Sequence, residues 1–239
     1  MITRRIFADL DNTVIFSHRH EIGERVLVER LNGKEQAYMT KRGYELLQTV
    51  SPEEFVPVTS RTIEQYQRIR FYSDGNMPKY ALIDNGGILL IDGVPDREWL
   101  GETKRMIAGD MQAVKRVEEF FSKDAHVKWQ DDMVLFLKTQ LPFNEVATEA
   151  EKLGLMVFNH LNKIYICSSK LSKGSAVKRF KERFTTDYSV VAGDSEVDVS
   201  MISEADKAYM ALKLEGYEKY KDRVCYMNAV DISEKIFGR

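Results

Sequence analysis

The sequence contains only two cysteines, Cys167 and Cys225, among its 239 residues, and they do not form a C-x-x-C pair. Disulfide frameworks and structural zinc sites need several cysteines at characteristic spacings, so the sequence argues against both. The low cysteine content fits a reducing compartment, and we expect a cytoplasmic protein.

The chain also lacks any run of about 18 apolar residues, which is the minimum for a membrane-spanning helix. The N-terminal residues lead into a short apolar run without a cleavage-site pattern, which favours a strand over a signal peptide. Lysine and arginine total 35 against 37 acidic residues, for a net charge of −2. Because nucleic-acid binding needs a marked basic balance, we expect neither nucleic acid nor membrane as a partner.

The hydrophobic fraction of 44% supports a sizeable core, and its pattern predicts two domains. Strands and helices alternate at both ends of the chain, which is typical of an α/β fold. The middle instead begins with a short predicted strand over 88–91, followed by one long amphipathic helix over 97–122. Two strands, a helix and two more strands follow, which predicts an antiparallel α+β unit. The predicted core therefore spans 1–86 and 168–239, and the predicted inserted domain spans 87–167.

Three surface features are also predicted. Residues 25–31 and 36–40 alternate around Asn32-Gly33, which indicates a β-hairpin that could form a flap near the first motif described below. A turn is expected at 160–162, and the charged run over 215–223 predicts a solvated helix face.

Two aspartates, Asp9 and Asp11, follow the first predicted strand, Arg5–Ala8. A strand that ends there aims Asp9 into the edge where open α/β sheets bind ligands. Paired carboxylates suit two tasks, namely binding a hard cation such as Mg²⁺ and dividing the nucleophile and acid–base roles. Taken alone, the segment is also compatible with an ordinary turn rich in Asp and Asn.

Three further polar segments follow a predicted strand or open a predicted helix, and parallel strands bring such positions to one edge of a sheet. In chain order, the four segments are Asp9-Leu10-Asp11-Asn12-Thr13, Thr59-Ser60-Arg61, Ser172-Lys173-Gly174 and Gly193-Asp194-Ser195-Glu196-Val197-Asp198.

The residue types in these segments match the needs of phosphoryl transfer. A phosphate substrate and a carboxylate nucleophile repel each other, so a cation and hydrogen-bond donors must offset their charge. Mg²⁺ bound by Asp9 and Asp194 would supply most of that charge. Lys173 would add a point charge, and Thr59 a hydroxyl and a backbone N–H. Asp9 would attack phosphorus, and Asp11 would protonate the leaving oxygen and then deprotonate the attacking water.

Together, these segments resemble the four motifs of haloacid dehalogenase (HAD) superfamily phosphatases, and the resemblance covers the whole chain. The first segment matches D-x-D-x-T, and the second resembles T-G-R with Ser60 in place of glycine. Lys173 fits the third motif. The fourth segment fits G-D-S-x-N-D, with Val197 where asparagine is usual.

The resemblance implies a role for each aspartate. Asp9 would be the nucleophile, and Asp11 the general acid/base, whose backbone carbonyl also binds Mg²⁺. Asp194 would be a direct metal ligand, and Asp198 would bind the metal through water or orient a ligand. The valine at position 197 removes one polar partner near the metal, which would weaken metal binding.

The resemblance also assigns Thr59, Ser60 and Lys173 to phosphate binding. Arg61 is a candidate substrate contact, with a surface salt bridge as the alternative. Asn85, which precedes Gly86 after a predicted strand, resembles the N-G pair of Cof-like members and is a second candidate substrate contact.

The inserted domain lies between the second and third motifs, as in the C2 cap class, and its order of elements resembles the compact C2B type. The expected fold is therefore a Rossmann-like parallel-sheet HAD core with an α+β C2B-type cap that closes over the substrate. Asn12 within the first motif resembles the sucrose-phosphatase branch.

These observations predict a Mg²⁺-dependent phosphomonoester hydrolase that acts on a small phosphorylated metabolite, with a sugar phosphate favoured. Two alternatives stay open. A phosphomutase would use the same intermediate but return the phosphoryl group to a sugar. A catalytically idle binding protein would keep the fold alone.

Overall fold

A computed structural model of the chain describes residues 2–160, 163–211 and 220–238. The predicted turn at 160–162 and the predicted charged helix over 215–223 lie partly outside these ranges. The chain divides into two compact units, one made of Met1–Asp96 with Lys173–Arg239 and the other of Arg97–Ser172.

The strands are, in chain order, β1 (Arg4–Ala8), β2 (Phe16–Ser17), β3 (Arg25–Leu31), β4 (Lys34–Thr40), β5 (Phe55–Pro57), β6 (Tyr80–Ile83), β7 (Ile88–Ile91), β8 (Val94–Pro95), β9 (Ala125–Gln130), β10 (Val134–Thr139), β11 (Leu155–His160), β12 (Lys163–Ser168), β13 (Tyr188–Gly193), β14 (Lys207–Met210) and β15 (Val224–Tyr226). The α-helices are α1 (Lys41–Leu47), α2 (Ile63–Tyr66), α3 (Arg97–Ile107), α4 (Met111–Phe121), α5 (Phe143–Glu151), α6 (Lys173–Arg183) and α7 (Ala229–Phe237). Two further segments, Asp84–Gly86 and Glu196–Glu204, are 3₁₀ helices.

A five-stranded parallel sheet in the order β15-β14-β13-β1-β5 forms the centre of the first unit. Its middle strands, β1 and β13, are apolar toward their carboxyl ends, where Ile6, Phe7, Val191 and Ala192 are fully buried. Continuous apolar strands of this kind are typical of parallel sheets covered on both faces. The predicted α/β class with a parallel sheet is thereby confirmed.

Helix α6 packs on this sheet through an apolar face. Its Phe180 ring meets the Phe7 ring of β1 edge-on, with centroids 5.4 Å apart. Ala176 and Val177 are also buried. This packing fixes the first residue of the helix, Lys173, next to the end of β1.

Two small antiparallel sheets complete the first unit, in the orders β2-β4-β3 and β6-β7-β8. The β3–β4 turn has positive φ at Asn32 (51°) and Gly33 (76°), as a two-residue hairpin requires. Because β7 pairs with β6, Ile88–Ile91 belongs to this unit, and the unit boundary lies beyond the predicted residue 87.

The sequence pattern that follows the second motif predicts a helix over 63–71, but α2 is much shorter and ends at Tyr66. The chain beyond it pairs with β3 instead: Ile69 forms a bridge with Glu29, and the Arg70 N–H donates to the Val28 carbonyl at 2.7 Å. Tertiary pairing therefore overrides the local helical pattern.

The second unit contains the antiparallel sheet β11-β12-β10-β9. Apolar side chains of α4 and α5 pack on one face of this sheet, among them Val117, Phe121 and Val146. The predicted single helix over 97–122 is in fact two, α3 and α4, separated at Ala108-Gly109-Asp110. Across the described ranges, no helix is both long and apolar enough to span a bilayer.

Candidate active site

Three of the four sequence motifs lie at the carboxyl edge of the parallel sheet, held there by strand-to-strand hydrogen bonds. The Asp9 N–H donates to the Ala192 carbonyl of β13 at 3.0 Å. The Val58 N–H donates to the Ala8 carbonyl at 2.8 Å, which places Thr59 beside the end of β1. The third motif lies at the start of α6, where Lys173 is the first helical residue. Segments far apart in sequence therefore meet at one edge of the sheet.

Lys173 links the first motif to the fourth. Its ammonium group donates to Asp9 Oδ1 at 2.5 Å and to Asp198 Oδ1 at 2.6 Å. The Lys173 side chain is only 2% exposed, and those of Asp9 and Asp198 are 9% and 0% exposed. Although burial alone would lower the pKa of Lys173, the two carboxylates raise it above its ordinary value, so the side chain is protonated at neutral pH.

Asp198 is held by donors on both of its oxygens. Its Oδ2 accepts from the Asp194 N–H at 3.2 Å, the Ser195 N–H at 3.0 Å and the Ser195 hydroxyl at 2.7 Å. Its Oδ1 accepts from Lys173. A carboxylate with so many donors is better placed to orient the loop and the lysine than to bind a cation directly.

Asp194 is held more loosely and lies next to the first motif. Its Oδ1 accepts from the Thr13 hydroxyl at 3.3 Å, and the neighbouring Asn12 and Thr13 side chains both act to lower the pKa of Asp194 against the effect of burial. Asn12 adopts a left-handed conformation, with φ of 60°, which asparagine tolerates better than most residues. The D-x-D-N-T loop therefore carries partners for the fourth motif as well as its own carboxylates.

Three carboxylates could hold a metal ion together. Asp9, Asp194 and Asp198 each present an oxygen within 4.8 Å of the other two. Burial raises the pKa of Asp9 well above its ordinary value; Lys173 opposes the shift, and the charges of Asp198, Asp194 and Asp11 add to it. Burial and the charge of Asp198 likewise raise the pKa of Asp194. A site whose negative charge exceeds that of its lysine, and whose donors are hard oxygens, fits Mg²⁺.

Two motif glycines permit this close approach. A Cβ at Gly193 would lie 2.2 Å from Asp198 Cβ and 2.5 Å from its Cγ. A Cβ at Gly174, next to Lys173, would lie 2.2 Å from the Ser200 carbonyl oxygen. Both contacts are far inside van der Waals distance, so Gly193 lets the Asp198 side chain lie close to the strand end, and Gly174 lets the start of α6 approach the Ser200 backbone.

Asp11 does not belong to this cluster of three carboxylates. Its carboxylate pairs with Arg61, which donates from Nε to Oδ2 and from Nη2 to Oδ1, both at 2.8 Å. Arg61 also binds Glu29, and the side chains of Arg61 and Glu29 are 11% and 0% exposed. Arg61 therefore does form the salt bridge considered as its alternative, although only Asp11, with a side chain 38% exposed, lies near the surface. Metal binding by the Asp11 carbonyl stays a prediction.

The remaining candidates lie around the second motif. Thr59 is buried, and its hydroxyl accepts from the Arg61 N–H at 3.2 Å. Ser60 is half-buried. Asn85 donates its backbone N–H to the Thr59 carbonyl at 2.9 Å, with φ of 55°. Its buried Oδ1 accepts no hydrogen bond within the described ranges, so this oxygen is an unpaired acceptor at the second motif.

Two residues of this region, Glu29 and Arg68, were not among the predicted site residues. Glu29 of β3 binds both Arg61 and Arg68, the latter at 2.9 Å from Arg68 Nε to Glu29 Oε1. The only sequence signal was an acidic residue within an otherwise alternating strand. The strand register shifts at Glu29, and such a bulge leaves no readable pattern.

No family model and no curated protein matches the sequence, whereas solved structures match along nearly its whole length. The sucrose-phosphatase of Synechocystis sp. PCC6803, determined with sucrose and phosphate, is 15% identical with a TM-score of 0.66. That match covers 99% of this chain and 97% of the other. A Thermoplasma acidophilum protein is also 15% identical, with a TM-score of 0.65 and the same coverage of both chains.

A trehalose-6-phosphate phosphatase related protein is 14% identical with a TM-score of 0.54, covering 97% of this chain and 94% of the other. At these identities the likeness concerns the fold. The predicted α/β fold is thereby confirmed along nearly the whole chain, while membership of the HAD superfamily stays the expectation drawn from the four motifs.

Proposed function

We propose that the protein is a Mg²⁺-dependent phosphomonoester hydrolase that forms an aspartyl-phosphate on Asp9. One observation carries the proposal: Asp9, Asp194 and Asp198 meet within 4.8 Å, and Lys173 bridges the first and the last of them. A structural ion pair needs one carboxylate for each lysine, so three carboxylates around one lysine indicate a site prepared for an added cation.

Asp9 and Asp194 are the proposed direct ligands of Mg²⁺, with the Asp11 carbonyl as a third, while Asp198 orients the site or binds through water. When bound, the ion would neutralise the repulsion between the phosphate and the carboxylates and stabilise the charge that develops during transfer. Val197, at the position of the usual asparagine, contributes no polar atom from its side chain.

In the first step, an Asp9 carboxylate oxygen forms a bond to phosphorus, and the bond from phosphorus to the ester oxygen breaks. Asp11 gives its proton to that leaving oxygen. In the second step, Asp11 accepts a proton from water as the water oxygen bonds to phosphorus. Phosphate leaves, and the Asp9 carboxylate is restored.

Lys173, Thr59 and Ser60 are proposed to bind the phosphate oxygens. Thr59 lies at the carboxyl edge of the sheet beside Asp9, and Lys173 already touches the nucleophile at 2.5 Å. Asn85 is the proposed substrate contact. Arg61, the second candidate for that role, already donates to Asp11 and Glu29, so the geometry supports its role beside Asp11 more than a substrate contact.

A sugar phosphate is the proposed substrate class. Two of the structural neighbours are a sucrose-phosphatase and a protein related to trehalose-6-phosphate phosphatase, and both names refer to phosphorylated sugars. We further propose that the unit Arg97–Ser172 is the cap that selects among such substrates.

The experiment is a phosphate-release screen over sugar phosphates, nucleotides, phosphoglycolate and pyridoxal phosphate, with and without Mg²⁺. Wild-type protein is expected to release phosphate from at least one sugar phosphate only when Mg²⁺ is present, and Asp9→Asn is expected to release none. Absence of activity on the whole panel would favour the idle binding protein.

A second measurement separates the hydrolase from the phosphomutase. In ¹⁸O-labelled water, a hydrolase incorporates label into the released phosphate, because water attacks phosphorus. A mutase returns the phosphoryl group to a sugar, so its product would carry no label.

A further inference from the structure

A chain of charged groups connects the flap hairpin to the proposed acid/base residue. Arg61 binds both oxygens of Asp11 at 2.8 Å, and it binds Glu29 Oε2 from Nη1 at 3.0 Å and from Nη2 at 3.1 Å. Arg68 donates from Nε to the other oxygen of Glu29 at 2.9 Å. Arg68, Glu29, Arg61 and Asp11 therefore form an alternating series of cations and anions.

Glu29 is the anchor of this series. Its side chain is fully buried, and a buried carboxylate is strongly unfavourable unless cations and donors compensate it. Its backbone is held as well, because the register of β3 shifts at this residue and Glu29 forms a bridge with Ile69. The position of Glu29 is thus fixed by the fold and does not depend on Asp11.

The guanidinium group of Arg61 couples the position of Glu29 to that of the Asp11 carboxylate. A guanidinium is a rigid planar fork, so fixing one edge of it fixes the direction of the other. Here Nη2 is shared between Glu29 and Asp11, while Nε is directed at Asp11 alone. Nη1 also donates to the Gln65 carbonyl at 3.3 Å, a longer bond than those to Glu29, so we expect a shift of Glu29 to rotate the plane and move both donors away from the Asp11 oxygens.

We propose that Glu29 is a positioning residue for the proposed reaction, acting through Arg61 to hold the Asp11 carboxylate in one orientation. The inference rests on the proposed function, since it assigns Asp11 the proton-transfer role. Glu29 lies outside the cluster of Asp9, Asp194 and Asp198 and is not one of the proposed phosphate ligands.

The test begins with Glu29→Gln, which keeps the side-chain shape but removes the charge. We expect kcat to fall about 10- to 100-fold, the cost of slightly misplacing a reacting group. KM should change little if Arg61 acts on Asp11 alone; a larger change in KM than in kcat would show that Arg61 contacts the substrate instead, and would overturn the proposal. The matched control is Glu54→Gln, which removes a glutamate paired with Arg4 at 2.6 Å and should leave kcat unchanged.

A double-mutant cycle with Asp11→Asn distinguishes positioning of Asp11 from a merely structural role of Glu29. If Glu29 acts through Asp11, Glu29→Gln should cause no further loss of kcat in the Asp11→Asn background. Equal losses in both backgrounds would overturn the proposal. If Glu29→Gln does not fold, Glu29→Asp, which keeps the charge but shortens the reach, takes its place in the same cycle with the same two outcomes.

A crystal structure of each variant gives a readout independent of turnover. The proposal expects the two-pronged contact from Arg61 to Asp11 to be lost or rotated in Glu29→Gln, and an unchanged contact would overturn it. An active wild type with unaltered kcat in Glu29→Gln would refute this inference alone. An inactive wild type would instead refute the proposed function.

Discussion

Replacing Lys173 with methionine tests the electrostatics of the site, because the change removes the one positive charge between two buried carboxylates. The lysine lies 2.5 Å from Asp9 and 2.6 Å from Asp198, and its own side chain is 2% exposed. Removing one partner of a buried ion pair costs about 3–5 kcal/mol, because the other partner keeps a charge that nothing offsets. We expect a loss of that size in the free energy of unfolding of the metal-free protein.

Mg²⁺ should reverse much of this loss. In the Lys173→Met variant the bound ion would be the sole cation facing Asp9, so the variant should gain more stability from Mg²⁺ than the wild type does. A ligand at 100 times its Kd adds about 2.7 kcal/mol, which is large enough to measure. The assay is urea unfolding followed by circular dichroism, with EDTA and with Mg²⁺.

The matched control is Lys181→Met, in the same helix. Lys181 donates to the Glu204 carbonyl at 2.6 Å and to the Ser189 hydroxyl at 3.3 Å, both neutral groups. Its loss should cost about 1–2 kcal/mol, with no difference in the Mg²⁺ effect. The reasoning is refuted if Lys173→Met costs no more than Lys181→Met, or if Mg²⁺ stabilises it no more than it stabilises the wild type.

Three other predictions follow from the same geometry. Because burial raises the pKa of Asp9, its ionised carboxylate lowers the stability of the metal-free protein at neutral pH, and this cost falls as the pH drops through the raised pKa. Metal-free Asp9→Asn should therefore melt at a higher temperature than the wild type while losing all turnover. A lower melting temperature would contradict this. Gly193→Ala should cost about 1–3 kcal/mol in urea unfolding and weaken Mg²⁺ binding, since its Cβ would displace Asp198, and unchanged Mg²⁺ affinity by calorimetry would argue against that displacement. Burial raises the pKa of the Cys167 thiol to about 12, so Ellman's reagent should label only the half-buried Cys225 until urea exposes both thiols, and two fast-reacting thiols in the folded protein would contradict this.

Much of the parallel-sheet edge could be predicted from the sequence. Asp9, Thr59 and Asp194 each follow an apolar strand, and parallel topology brings such residues together whatever their separation along the chain. Lys173 could be placed near them because its motif opens a helix. These predictions depend on local pattern and topology, both of which a single sequence displays.

The partners of each charge could not be predicted in the same way. Arg61 has several acidic candidates, and its pairing with Glu29 depends on a register shift in β3 and on the extended chain after α2. The helical pattern over 63–71 gave no sign of that extension, because the pairing with β3 is a tertiary effect. The break between α3 and α4 was missed for a related reason, since the amphipathic pattern continues across Gly109.

Chemical trapping of the intermediate tests the central claim most directly. Wild-type protein is mixed with a sugar phosphate that it hydrolyses and with Mg²⁺, quenched during turnover, reduced with borohydride and analysed by peptide mass spectrometry. Since borohydride converts an aspartyl-phosphate to homoserine, the account predicts homoserine at position 9 and at no other aspartate. Turnover without any modification of Asp9, or reduction at a different carboxylate, would contradict it.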